Sequence, residues 1–171
     1  MSASHNRRRY NSDEMPVHRP GVGFSTTRVG VDQDGWPPVG AENLWAMPST
    51  EPGVVELDNI PWFVRGVSAG DLIQVCADSA GLLRMTELVA WSGNCTIRVV
   101  PSTSEPSEGS LRQVIDNFVP LGADGEGLEQ FGVVALNVPP DADIPGIKRL
   151  LQQGEQEEAV TGRLPGRGQW R

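Results

Sequence analysis

Hydrophobic positions in this chain fall into two styles, one on each side of residue 100. Before that point they alternate in short runs. Val22, Phe24 and Thr26, then Val29 and Val31, predict extended chain with a change of phase at Thr27-Arg28, and Asp34-Gly35 predicts a tight turn behind it. Trp36-Pro37-Pro38-Val39 suits only an edge or crossing segment, because two prolines remove two ladder donors. Further short strands are predicted at 54–57, 60–67, 72–77, 83–91 and 96–100. Asp58-Asn59 tolerates positive φ and predicts one hairpin turn, with Gly66 and Gly70-Asp71 making the next. Ile73, Val75 and Ala77 alternate with Gln74 and Cys76, which sets one face on a core. This is the pattern of a small, strongly bent antiparallel sheet or barrel.

Past residue 100 the period lengthens. Leu111, Val114, Ile115 and Phe118 recur at helical spacing, and Pro120 and Gly122 end the run. A nearly continuous apolar strand follows at 132–138. Asp143 then caps a second helix, with Pro145 in its first turn, Ile147, Leu150 and Leu151 inward, and Gly154 at its end. The predicted fold class is therefore α+β: a small antiparallel barrel-like sheet followed by a strand-helix-strand-helix half, with disordered tails. Residues 1–20 form a basic tail, 21–155 one unit divided at 95/96, and 156–171 a polar tail.

Charge narrows the partners. The net charge of -8 is uneven: residues 1–20 carry +2 and residues 163–171 carry +3, which leaves 20 acids against 7 bases between them. An acidic body repels phosphate backbones, so sequence-specific nucleic-acid binding is not expected and a basic protein partner suits better. No apolar stretch approaches the roughly 20 residues of a membrane helix, and no apolar run follows the charged N-terminus, so neither membrane association nor a secretory signal is expected. Cys76 and Cys95 sit in strand-like runs and are expected to be buried thiols of a cytoplasmic protein.

Chemistry is sparse. There is no CxxC, HExxH or GxxxxGK, and Gly21-Val22-Gly23 lacks the third glycine of a dinucleotide loop. Gly125-Glu126-Gly127 reads as an acidic loop that repels phosphate. His5 and His18 are the only histidines and lie in the tail, so no Ser-His-Asp triad is expected from the folded part. No metal site or cofactor is expected. The contact candidates are Asp58, Asn59, Trp62, Arg65, Asp71, Ser92, Asn94 and Arg98. Trp62-Phe63 points its rings to opposite faces, one into the core. Arg65 in an apolar run needs a carboxylate, with Asp58 or Asp71 the expected partner. Ser92, Asn94 and Thr96 read either as turn chemistry or, with Arg98, as a cleft for a carboxylate or amide.

The runs Asp34-Gly35-Trp36-Pro37-Pro38-Val39, Glu42-Asn43-Leu44-Trp45-Ala46, Asp58-Asn59-Ile60-Pro61-Trp62-Phe63-Val64-Arg65-Gly66-Val67, Gly70-Asp71, Ser92-Gly93-Asn94-Cys95-Thr96-Ile97-Arg98-Val99 and Val138-Pro139-Pro140 carry a resemblance. The chain resembles a family of small bacterial proteins known only by a domain-of-unknown-function label, over roughly residues 24 to 155 in ordered succession. Similar proteins commonly have histidine where Asn94 stands, and a longer acidic-aromatic end in place of this Gly/Arg tail. The resemblance implies no reaction. The leading expectation is a non-enzymatic binding or regulatory protein whose acidic surface meets a basic protein, such as an immunity-type inhibitor. The alternative is a small enzyme acting on a carboxylate- or amide-bearing metabolite in a cleft between the halves, around Asp58, Arg65, Asp71 and Arg98. A small-molecule ligand is compatible with both.

Overall fold

The computed structural model describes residues 22–25, 37, 39–101, 107–156 and 160–163. The expectations for residues 1–20, for Val29 and Val31 and for the Asp34-Gly35 turn lie outside them; of the Trp36–Val39 run, Pro37 and Val39 lie within.

Five strands build the first half: β1 (Val22–Ser25), β2 (Asn43–Pro48), β3 (Val54–Leu57), β4 (Leu72–Ala77) and β5 (Leu83–Ala90). They pair antiparallel in that order, and a single parallel pairing, Ser25 with Arg84, brings β5 back to β1. The result is barrel-like, closed by one residue pair. Its core is Leu44, Ala46, Val55, Leu57, Val64, Val67, Ile73 and Val75.

The second half is β6 (Cys95–Pro101), α1 (Glu108–Phe118), β7 (Asp124–Leu128), β8 (Val133–Val138), α2 (Ile144–Gln156) and β9 (Val160–Arg163), with sheet order β7-β8-β6-β9, all antiparallel. The helices cover one face, where Ile97, Val99, Val134, Leu136 and Val138 meet Leu111, Ile115, Phe118, Ile147 and Leu151. Ser107 and Ser110 cap α1 reciprocally, and Asp143 accepts from the Gly146 N–H at 3.0 Å at the start of α2.

Two antiparallel sheets with two helices make the α+β class expected from the pattern, with five corrections. Residues 60–67 form no strand. β2 is a strand the pattern did not single out. The stretch 124–128, read as a loop, is β7: Gly125 and Gly127 alternate inward, where a Cβ would lie 2.7 Å from the Ala135 carbonyl oxygen and 2.9 Å from the Leu111 side chain. Helix α2 runs past Gly154 to Gln156. The stretch from 156, read as a polar tail, supplies β9 at Val160–Arg163, so the second half is not a simple strand-helix-strand-helix succession.

Candidate functional site

The segment between β3 and β4, residues 58–71, is the joint between the halves. Apolar as it is, it does not join a ladder, because two side chains bind its backbone instead. The Glu42 carboxylate, buried just ahead of β2, accepts from the N–H groups of Trp62 (2.6 Å), Phe63 (2.9 Å) and Val64 (2.9 Å). Arg98, on β6, donates to the carbonyls of Trp62 (2.7 Å, through Nε), Pro61 (3.1 Å) and Val64. An anion on one side and a cation on the other thus hold one short piece of chain. Burial pulls the Arg98 guanidinium down to about 10 while the Glu42 charge opposes the shift, so it stays charged at neutral pH.

Glu42 is on the barrel side and Arg98 belongs to the second sheet, so the clamp ties the halves through the segment they share. Phe63 is its buried aromatic, set edge-on against Phe131 with ring centroids 5.2 Å apart and an interplanar angle of 82°. Trp62 is half-buried. Arg65, expected to be the paired guanidinium, is exposed and makes no ion pair among the described residues. Its position beside Gly66, whose φ is 82°, turns it outward, and the buried guanidinium of the region is Arg98.

Asp71 is fully buried and engages backbone: Oδ2 accepts from Ser68 N–H and Oδ1 from Ser92 N–H, both at 2.8 Å. The Ser92 hydroxyl donates to the Ala69 carbonyl at 3.0 Å and Asn94 Nδ2 donates to the same oxygen at 2.7 Å. Thr96 Oγ1 donates to Ser68 Oγ at 3.1 Å. Gly70, with φ of 83°, fits beneath because a Cβ would come within 3.1 Å of Ser92. Asp71, Ser92 and Asn94 are therefore one turn-building network around Ala69. Asn59 does the same on the far side, its Oδ1 accepting from Trp45 N–H at 2.8 Å. Asp58 is exposed. Of the eight predicted residues, Arg98 and Trp62 meet in one contact set, and Asp71, Ser92 and Asn94 in another. Asp71 and Arg98 engage different stretches of the joint's backbone.

Three features went unread in the sequence. Glu42 is the first; its one signal was an acid directly ahead of an alternating run. The second is Asn137 on β8, opposite Thr96 on one side and Asp124 on the other, whose Oδ1 is buried without a hydrogen-bond partner. Glu126 lies on this face of the sheet too, and its carboxyl is raised by burial and by the Asp124 charge. The third is a shallow, open cleft of about 340 Å³ at the mouth of the barrel, lined by Val54, Val55, Val75 and Leu83 with Glu51 at the rim; none of the predicted residues lines it.

The thiols also differ from expectation. Cys76 is exposed, because it alternates with core-facing Ile73 and Val75, and Cys95 is half-buried, its thiol pushed up by burial and by the Asp71 charge. Among the described residues no group of three or more His, Cys, Asp or Glu is placed to hold a metal, and no helix is long and apolar enough to cross a membrane.

No curated protein matches the chain. Among solved structures it is similar to a hypothetical protein from Neisseria gonorrhoeae at 19% identity, with a TM-score of 0.64 over 86% of this chain and 95% of that one. That likeness concerns the fold. A family model matches residues 42–161, most of the chain, from Glu42 of the clamp to the second residue of β9, and the protein belongs to that family, described as a domain of unknown function (DUF4265).

Proposed function

We propose that the protein is a cytoplasmic, non-enzymatic binding or regulatory protein whose acidic surface docks a basic protein, with an immunity-type inhibitor as one concrete form. One observation carries the reading: the polar groups of the motifs are engaged inside the fold, while carboxylates remain on its outside. Asp71, Ser92, Asn94 and Arg98 each bond to backbone. Across residues 39–94 there are seven acids against two bases, Arg65 and Arg84; Glu42 and Asp71 are buried and Arg84 is bonded to Asp78 at 2.9 Å, so the exposed carboxylates are Glu51, Glu56, Asp58 and Glu87, beside the exposed Arg65. Such a field favours cationic partners and speeds their encounter.

The test is capture from the source lysate at low salt, followed by reconstitution with the purified captured protein. A stoichiometric complex with a basic protein, weakened several-fold between low and physiological salt, is expected. Capture of only acidic proteins, or salt-insensitive binding, contradicts the reading.

A second reading, a small enzyme or receptor for an amide- or carboxylate-bearing metabolite, draws support from Asn137, since a buried acceptor with no donor favours a ligand N–H. The face of the sheet around Asn137 adds the carboxylates of Asp124, opposite Asn137, and Glu126 to the expected Asp58 and Asp71. Loss of any measured turnover in Glu126→Gln, with the fold intact, would favour it.

A further inference from the structure

The second half of β5 departs from the rule that a sheet strand buries alternate residues. Thr86, Glu87, Leu88, Val89 and Ala90 are all exposed in succession. Three large apolar groups lie in this short stretch: Leu88 is 40% exposed, Val89 44% and Trp91 56%. A lone exposed leucine is ordinary, whereas neighbouring apolar side chains on one strand and its exit mark an interaction surface. Trp91 is moreover held in place, its indole N–H donating to the Asn94 carbonyl at 2.7 Å. A pinned, exposed tryptophan loses little freedom on binding, which is the property of an interface anchor.

The geometry also says how such a surface is read. β5 pairs β1 at Arg84 only, and among the described residues β4 is its one strand neighbour beyond that point. The register with β4 slips twice, leaving Thr86 and Val89 with no residue opposite. Bulges of this kind twist an edge away from strand addition and re-aim its side chains. Recognition here runs through side chains, not through a continued ladder.

Charge selects the occupant. Glu87 stands next to Leu88 within the stretch 39–94, which carries seven acids and two bases, with Glu51, Glu56 and Asp58 also exposed. A second copy brings the same excess of carboxylates to the contact, whereas a basic protein brings its complement. We propose that Leu88, Val89 and Trp91, with Glu87 beside them, form the docking patch for a segment of a basic protein that presents apolar and cationic side chains together. This rests on the binding reading above and adds where the contact lies and what it recognises.

The test uses the full chain and two synthetic amphipathic peptides, one of lysine and leucine and one of glutamate and leucine, with affinity measured at low salt. Wild type is expected to prefer the lysine peptide. Trp91→Ala and Leu88→Ser should each weaken it, Trp91→Ala by about thirtyfold, the size of an interface anchor. Val119→Ala, which removes a 51% exposed apolar side chain from the other half, should leave it unchanged. Unaltered thermal midpoints in the β5 variants exclude loss of fold. If the lysine peptide binds and the β5 variants bind it as wild type does, the patch is overturned and the acidic binder stands. If wild type does not distinguish the two peptides, the binder reading falls and the patch with it. A wild-type dimer that Trp91→Ala turns into a monomer assigns the surface to a second copy and also overturns the proposal.

Discussion

The joint at residues 58–71 and the open end of β5 are opposites. The first is dense with motif residues, and nearly every polar group in it is bound: Glu42 and Arg98 hold residues 61–64, and Asp71 holds Ser68 and Ser92. The second contains no motif, yet it leaves Leu88, Val89 and Trp91 exposed. The contrast teaches that a run of unusual residues in a sequence can mark a structural connector. Binding surface, by contrast, shows itself as apolar area that the fold has no use for.

That contrast breaks first at Arg98. Arg98→Met should cost about 3 kcal/mol or more in urea unfolding, because it takes the donor from the carbonyls of Pro61, Trp62 and Val64 and removes the guanidinium charge that interacts with the buried Glu42 carboxylate. A cost below about 1 kcal/mol would make the clamp incidental. Next in size, Asp71→Ala should cost about 2 to 3 kcal/mol, since two backbone N–H groups lose a charged acceptor and Asp71 itself is buried. Trp91→Ala, by comparison, should change stability by less than about 1 kcal/mol, which sharpens the distinction between the regions.

Smaller still is the effect of Glu126→Gln. The folded-state carboxyl is raised above its ordinary value, so its favourable contribution is complete below the unfolded value and is lost as pH rises through the folded one. At neutral pH the charged form is therefore a burden, and the glutamine variant should melt slightly higher there. Because the residue keeps contact with solvent while its carboxyl is only partly desolvated, the gain stays under about 1 kcal/mol. The difference should vanish in acid, where both chains are neutral at this position, and a gain that persists there would exclude the electrostatic cause. Thiol chemistry separates the cysteines without a mutation: a disulfide reagent should modify Cys76 quickly and Cys95 slowly in the native protein, because Cys95 is half-buried with its thiol pushed up.

Much of the fold is legible in the residues. The alternation around Ile73 and Val75, the helical period from Leu111 to Phe118, and Asp143 ahead of Pro145 each state their element, because local pattern and tertiary burial agree there. Three strands escape for physical reasons. In β2 the alternation of Leu44 and Ala46 is masked by Trp45, a large apolar residue that points outward. In β7 glycines occupy the inward positions because helix α1 and strand β8 approach too closely for a side chain. β9 is short and lies beyond the polar Glu155–Glu158 run, and it is defined by its pairing with β6. At 60–67 the error is the reverse. Apolar residues imply a strand, but the donors and acceptors that settle the matter come from Glu42 and Arg98, some 20 and 36 positions from Trp62. No local pattern carries that information. The same distance explains why Arg65 and not Arg98 looked like the clamped residue.

The most direct test of this account compares Arg98→Met and Trp91→Ala side by side, each by urea unfolding and by affinity for the lysine–leucine peptide. The account predicts a crossed result: Arg98→Met loses stability and binds normally while folded, whereas Trp91→Ala keeps its stability and loses binding. If Arg98→Met instead lost binding with its stability intact, the joint would be the recognition site and the division between connector and surface would be wrong.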